Sequence, residues 1–208
     1  MSYSLNEIEA ASKRAARGAG YSWGCAEEAA KATRWLCANG QDGVTILAGL
    51  LDRRLAVSAD HAPTGQEGEW RADGELCPLV AGAYLSDCAH QLAKDAIRMR
   101  RVAAPLVILP FAANAARFHK CCVTVDIDGQ LAITDGVALS CPDGIPAQAE
   151  ELTVRTGGEL AARCRSKSRA TPDPDSWARL NEYAYRTYAP ATDESRRLGA
   201  GAGLSDND

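Results

Sequence analysis

The sequence lacks three features that would indicate a metal or redox site, secretion or a membrane span. It has no Cys-x-x-Cys pair, no basic N-terminal stretch leading into an apolar segment, and no apolar run long enough to cross a bilayer. The longest apolar run, residues 102–113, contains Pro105 and Pro110 and falls short of the ~20 residues that a membrane helix needs. We therefore predict a cytoplasmic protein without a membrane partner.

Cysteine and histidine do not form the patterns of disulfide or metal sites. Eight cysteines are present, but a chain of this size without a signal peptide is expected to keep them reduced, as core residues. His61, His90 and His119 are far apart in the sequence and show no zinc-ligand spacing. The sequence predicts no metal site and indicates no cofactor.

An excess of basic charge is also missing. The 23 basic residues are interspersed among 27 acidic ones, and the formal net charge is −4. Proteins that bind nucleic acid usually carry a clustered basic surface. We therefore exclude nucleic acid as a partner.

What is present is the composition of an ordinary globular protein. The chain has 208 residues, of which 46% are hydrophobic and 24% charged. A chain of this length can bury a sufficient core without disulfides or a structural metal. We expect one domain over residues 1–208.

Capping residues mark the helices. Ser4 and Glu7 have the spacing of a capping box, and Ser22 is the expected N-cap of a second helix that ends near residues 39–40. Further helices are expected to start at residues 42–43, 77–78 and 172–176, with a polar loop over 57–73.

Two segments in the second half have the patterns of strands. Residues 105–110 form a short apolar run bounded by prolines, which predicts a buried strand. Residues 123–128 alternate apolar and polar side chains, as a half-buried strand does. If the alternation extends backwards, His119 and Cys121 lie on the apolar face with Val123.

The loop lengths of two hairpins follow from keeping apolar residues on one face. A three-residue loop pairs Ile127 with Leu131, whereas a two-residue Asp128-Gly129 loop places apolar residues on opposite faces. The same reasoning predicts a hairpin between residues 152–156 and 160–164. The elements together predict an α+β fold: N-terminal helices packed on an antiparallel or mixed sheet with two hairpins, then a C-terminal helix and an ordered or semi-ordered tail.

Two segments carry a resemblance. Residues 20–28, Gly-Tyr-Ser-Trp-Gly-Cys-Ala-Glu-Glu, and the Gly-rich acidic tail 199–208, Gly-Ala-Gly-Ala-Gly-Leu-Ser-Asp-Asn-Asp, resemble a bacterial protein family of unknown function. The resemblance implies a soluble bacterial protein and extends over essentially the whole chain. It brings no catalytic or binding residue with it.

The start of the second helix is the first candidate site. Ser22 and Trp23 could bind a ligand, with Glu27 or Glu28 as an acid or base, but adjacent helical residues diverge by roughly 100°, so at most one glutamate serves a pocket. The alternative is a capped helix in which the glutamates complement the helix dipole and Trp23 packs as a hydrophobic staple.

Two histidines are further acid/base candidates. His119 could form a nucleophilic dyad with Cys121, and His61 could be a general base oriented by Asp60. The structural alternative is a core cysteine beside a strand-end histidine, and an ordinary exposed loop histidine at position 61.

The C-terminal region could bind an anion. Arg196 and Arg197 can hold a carboxylate or phosphate bidentately, and the glycines that follow can bring backbone amides close to it. The pattern lacks the lysine of a phosphate-binding loop, and a terminal Gly-rich run is commonly flexible.

Two classes of function remain open. The first is a metabolic enzyme or ligand-binding protein for a small polar or anionic metabolite, with a pocket near the start of the second helix. The second is a non-catalytic module that self-associates or binds a partner subunit through Trp23, Trp35 and the tail.

Overall fold

A computed structural model describes residues 1–65, 68–160 and 166–188. The six helices in these ranges are α1 (Leu5–Gly18), α2 (Trp23–Ala38), α3 (Gly43–Asp52), α4 (Pro78–Asp87), α5 (Leu109–His119) and α6 (Pro174–Tyr185). The strands are β1 (Tyr3–Ser4), β2 (Glu69–Trp70), β3 (Ile97–Ala103), β4 (Val123–Ile127), β5 (Gln130–Thr134), β6 (Leu139–Ser140), β7 (Gln148–Thr156) and β8 (Arg169–Ala170).

Six of the strands form one mixed sheet in the order β2-β3-β7-β4-β5-β6, and β1 pairs with β8 separately. Within the large sheet β2 and β3 are parallel, and the other neighbouring pairs are antiparallel. The buried side chains of the helices and the sheet join in one core cluster. The α+β prediction is confirmed.

Local capping chemistry starts the helices where it was predicted. Ser4 Oγ accepts from the amide of Glu7, whose carboxylate accepts from the amide of Ser4, so the capping box is complete. Ser22 Oγ likewise accepts from the amide of Cys25 at 3.2 Å and begins α2. Side-chain caps also begin α3 at Asp42 and α6 at Asp173.

The strand predicted at residues 105–110 is wrong. Pro105–Ile108 form a 3-10 turn, and Pro110 lies in the first turn of α5. A proline is tolerated there because its missing N–H would have no intrahelical partner. The strand before this turn is β3, in which Ile97 and Met99 are buried and the arginines between and after them are exposed.

The predicted register of the first hairpin is also wrong. Ile127 pairs with Gln130 across a two-residue loop, in which Asp128 and Gly129 have φ of 48° and 88°. Positive φ at both positions gives the turn a twist that matches the right-handed twist of the flanking strands. The core-facing residues of β5 are Ala132 and Thr134, while Leu131 is 46% exposed, so the prediction placed the wrong residues inside.

The predicted pairing of residues 152–156 with 160–164 fails because β7 is a central strand. Val154 pairs with Ile97 of β3 on one side and with Val125 of β4 on the other, so no edge is free there for a hairpin partner. Residues 161–164 of the predicted partner lie outside the described residues. The second hairpin is instead β5–β6, joined by residues 135–138.

A polar contact ties α6 to α3. Asp52 Oδ1 accepts from Nε and Nη2 of Arg179 at 2.9 and 2.7 Å, and from the Tyr183 hydroxyl at 2.8 Å. Burial alone would raise the pKa of Asp52, but these hydrogen bonds outweigh it and hold that pKa below its usual value. Both ion-pair partners are about half exposed, which limits the stabilisation to about 1 kcal/mol or less.

The lowered pKa fixes how this contact depends on pH. A carboxyl with a depressed folded pKa stabilises the fold above its unfolded pKa of about 3.9 and loses that effect as pH falls through the folded value. Asp52→Asn should therefore lower the free energy of unfolding at neutral pH and leave it unchanged in strong acid. Urea unfolding across pH measures this, with Asp87→Asn at an exposed carboxylate as the control. An equal effect of Asp52→Asn at every pH would contradict the role of the ionised carboxyl.

Candidate functional site

A groove between α2 and α5 combines charged, amide and aromatic side chains. It encloses about 400 Å³, a volume within the range of small-molecule sites. Its lining residues are Glu9 of α1, Glu28, Lys31, Ala32, Arg34, Trp35 and Ala38 of α2, and Pro110, Phe111, Asn114 and Arg117 of α5. We call it the α2–α5 groove.

The charged residues on the α2 side are held in ion pairs. Lys31 Nζ lies 2.7 Å from Glu28 Oε1, one helical turn away. Arg34 Nη1 lies 2.9 Å from Glu9 Oε2 and also donates to Asn6 Oδ1. These cations therefore have carboxylate partners within the protein.

Arg117 on the α5 side is held by neutral acceptors instead. Its guanidinium donates to the carbonyl of Gly136 and to Oδ1 of Asn114, and the Asn114 amide donates to Ser86 Oγ at 3.0 Å. Within the described ranges no carboxylate forms an ion pair with Arg117. The guanidinium is thus fixed in place without a carboxylate partner among the described residues.

Glycine at position 136 is required for this arrangement. Gly136 has φ of 96°, and a Cβ there would lie 2.5 Å from Arg117 Cγ and 3.1 Å from the carbonyl oxygen of Ala113. The turn is itself fixed, because the Thr134 hydroxyl accepts from the Gly136 amide and donates to the carbonyl of Ala138. The β5–β6 turn therefore positions the arginine on α5.

The indole nitrogen of Trp35 has no hydrogen-bond partner in the part of the chain that the structure describes. This Nε1 atom is buried. A buried donor without a partner costs roughly 1–3 kcal/mol. The α2 wall of the groove therefore contains one unsatisfied donor beside the paired charges.

Of the residues predicted as a site at the start of α2, Ser22, Trp23 and Glu27 lie outside the α2–α5 groove. Ser22 is occupied as the N-cap, and Trp23 is 63% exposed, with its ring 4.6 Å from Arg17 Cζ. Glu27 Oε1 lies 2.7 Å from Lys13 Nζ, and this hydrogen bond lowers the pKa of the exposed Glu27 carboxyl. Glu28 faces Lys31 and the α2–α5 groove instead, so the two glutamates lie on different sides of the helix.

His61 and His119 form hydrogen bonds with backbone carbonyls and not with Glu27 or Glu28. His61 lies in a 3-10 turn, and its Nδ1 is 2.9 Å from the carbonyl oxygen of Glu75. His119 is the last residue of α5, not part of a strand, and its Nε2 is 2.7 Å from the carbonyl oxygen of Ala89. The predicted strand face containing His119 and Cys121 is therefore wrong, because β4 begins only at Val123 and Lys120 turns the chain with φ of 55°.

Arg196, Arg197 and the tail 199–208 lie outside the described residues. Two arginines that were not predicted, Arg34 and Arg117, line the groove, and Arg117 is the one on α5. With Phe111 and Asn114 it recurs at every third position of α5, a spacing that puts all three on one helix face.

The described cysteines have free thiols and differ in exposure. Cys121 is exposed, whereas Cys37 and Cys77 are buried and burial raises the pKa of both. Burial raises the pKa of the half-buried Cys141 to about 11.

Alkylation should follow this order, because the thiolate is the reactive form and needs access to solvent. We expect iodoacetamide at neutral pH to label Cys121 first and to reach Cys37 and Cys77 only after unfolding. Peptide mass spectrometry over time measures the order. Early labelling of Cys77 in folded protein would contradict the buried position.

Among the described residues no three His, Cys, Asp or Glu side chains come together as a metal site. No helix in the described ranges combines the length and the apolar character of a membrane span.

A family model matches the N-terminal part of the chain. The model of a family described as a protein of unknown function (DUF3726) matches residues 3–78, which run from β1 to the start of α4. The match includes the Gly20–Glu28 segment and does not reach the C-terminal tail, so it supports an unknown-function family only for the N-terminal part. No curated protein matches the chain.

Proposed function

We propose that this protein binds a small anionic metabolite with an apolar or aromatic part in the α2–α5 groove. The observation that carries the proposal is the uncompensated charge of Arg117. Three cations and two carboxylates line the groove, and the pairs Lys31–Glu28 and Arg34–Glu9 leave one positive charge. A carboxylate or phosphate ester is the complementary ligand group, because a guanidinium can donate two hydrogen bonds to it.

The walls favour a ligand with an apolar body. Phe111, Pro110 and the methyl groups of Ala32 and Ala38 border the same space as the charged residues. Binding sites of this kind place a few polar groups in a mostly apolar pocket, so that the polar groups orient the ligand. An aromatic or alkyl carboxylate meets both requirements better than an inorganic ion.

Binding fits the groove better than catalysis. Neither His61 nor His119 lines it, and its lining has no cysteine, serine, threonine or tyrosine that could act as a nucleophile among the described residues. Its two carboxylates are in ion pairs with neighbouring cations. An enzymatic role would need an acid, base or nucleophile brought by another part of the chain or by the ligand.

Replacing Arg117 tests the proposal. Native mass spectrometry of freshly purified protein, followed by thermal-shift titration with aromatic and aliphatic carboxylates and phosphate monoesters, should identify a ligand class. Arg117→Gln should weaken its binding roughly ten- to a hundredfold, the loss expected for a charge-assisted hydrogen bond. Arg117→Lys, which keeps the charge, should lose less.

The matched control is Arg155→Gln, which removes the same charge from an exposed position on β7. It should leave binding unchanged. If no anion binds the wild-type protein, or if both substitutions weaken binding equally, the groove is not the site. Hydrogen exchange along α5 distinguishes lost binding from lost structure in Arg117→Gln.

Self-association is the second candidate function, and an exposed aromatic surface favours it. Trp23, Tyr185 and Tyr188 are 63%, 71% and 54% exposed, and Arg17 and Arg14 lie over the rings of Trp23 and Tyr188. Tryptophan, tyrosine and arginine are the residues that contribute most at protein interfaces. We expect Trp23→Ala to shift any dimer towards monomer in light scattering over a concentration series; a wild-type monomer at all concentrations would count against this function.

A further inference from the structure

A second groove differs from the first in chemistry. It lies between α3, residues 104–106 and residues 145–147, encloses about 400 Å³, and shares no lining residue with the α2–α5 groove. Its lining residues are Thr45, Ile46, Gly49, Arg53, Ala104, Pro105, Leu106, Ile145, Pro146 and Ala147. We call it the α3 groove.

The side-chain polar groups of the α3 groove have partners within the protein. Arg53 forms an ion pair with Glu75 and donates through Nη2 to the carbonyl oxygen of Ala147 at 2.9 Å. The Thr45 hydroxyl donates to Asp42 Oδ2 at 2.8 Å. Because the only charged lining residue is already neutralised, an anionic or cationic ligand gains no new ion pair here. An uncharged, apolar ligand fits this lining.

Gly49 exposes bare helix backbone in the groove. It lies inside α3, and a Cβ at this position would meet no heavy atom within 4 Å. Its φ is outside the left-handed region, so no described contact or backbone angle requires glycine. Glycine is the least favourable helix residue after proline. Gly24 of α2 lacks such a contact as well, so the glycine at position 49 counts here because it borders the cavity.

The opposite wall of the groove has a second unusual residue. Ala104 adopts φ of 40° and ψ of 61°, a left-handed conformation that its Cβ disfavours. The conformation is held by the hydrogen bond from its amide to the carbonyl oxygen of Ala147 at 2.9 Å, and the 3-10 turn follows directly. Such strained residues cluster at ligand sites, where the backbone is pre-organised.

We propose that the α3 groove is a binding site for a small uncharged apolar molecule, which packs on the backbone at Gly49 and on Ile46, Leu106 and Ile145. Three independent features converge on it: the cavity, the unexplained helix glycine and the strained Ala104. The site is separate from the Arg117 site and does not depend on the function proposed for it.

The test uses the full chain and the neutral dye Nile red as the probe. Wild-type protein should bind the dye saturably with a rise in fluorescence. Gly49→Leu fills the open space with an apolar side chain and should weaken binding by about tenfold or more. Its urea-unfolding midpoint should equal or exceed that of the wild type, because leucine is a better helix former. If Gly49→Leu lowers the midpoint, Gly49→Ala provides the same comparison with a smaller side chain.

Two controls isolate the groove. Gly24→Leu changes another exposed helix glycine whose Cβ would meet nothing within 4 Å, and Arg117→Gln changes the other groove. Both should leave dye binding unchanged. The proposal is overturned if the wild type shows no saturable binding or if Gly49→Leu binds as the wild type does. It is also overturned if light scattering shows that Gly49→Leu dissociates an oligomer, since the occupant is then a second copy of the chain.

Discussion

Gly82→Ala should lower the free energy of unfolding by about 3 kcal/mol, the upper part of the range for overpacked cores. Gly82 is buried in α4, and a Cβ there would lie 2.1 Å from Cδ2 and 2.5 Å from Cε2 of Phe111. The Phe111 ring is 1% exposed, so relief of the contact requires the ring to leave its packed position or α5 to move. Urea unfolding measures the loss.

A double-mutant cycle identifies the cause. Phe111→Ala removes Cγ, Cδ2 and Cε2, the three atoms that the new methyl group would meet, so Gly82→Ala should cost much less in the Phe111→Ala background than alone. Gly24→Ala is the matched control and should change stability by about 0.5 kcal/mol or less, because its Cβ meets open space. Additive effects of Gly82→Ala and Phe111→Ala would contradict the proposed contact.

Gly18→Ala should separate α6 from α1. Gly18 is the last residue of α1, and a Cβ there would lie 1.8 Å from the carbonyl oxygen of Tyr183. That neighbour is backbone, so relief requires a shift of the helix rather than a side-chain rotation. We expect a loss of about 2–3 kcal/mol and faster amide exchange in α6 than in β4 or β7.

The distribution of exchange rates is the decisive measurement for Gly18→Ala. Uniformly faster exchange in α6 and the central strands would mean that the substitution destabilises the whole fold. Gly24→Ala again serves as a control. Asp52→Asn should loosen α6 less, because its contact is exposed and polar.

Sequence patterns predict the helices of this protein better than its strands, for a physical reason. The caps at Ser4 and Ser22 use residues three positions apart, so the chain contains the complete signal locally. Residues 105–110 do not contain a complete local signal, because proline occurs both at the boundary of a strand and in the first turn of a helix. Whether this segment forms a strand or a helical turn depends on its packing against the rest of the chain.

Hairpin register failed for a related reason. Apolarity alone placed Leu131 inside, whereas Thr134 occupies a core-facing position because its hydroxyl finds partners in Ala138 and Gly136. A satisfied polar group can be buried at little cost. The Asp128-Gly129 sequence, with its preference for positive φ at both positions, was the more reliable guide.

The candidate site was predictable only in part. Glu28 was singled out on capping and divergence arguments, and it borders the groove. Arg117 was missed, since its role depends on Gly136, which lies 19 residues later in the chain. A non-local contact of this kind has no signature in the spacing of neighbouring residues.

Because Gly136 contacts Arg117, the charge of the groove and the position of that charge depend on different parts of the chain. The charge of the groove resides on α5, but its position is set from the far end of a hairpin that lines no part of the groove. Substitutions in residues 135–138 are therefore expected to move the Arg117 guanidinium while every side chain that lines the groove stays the same.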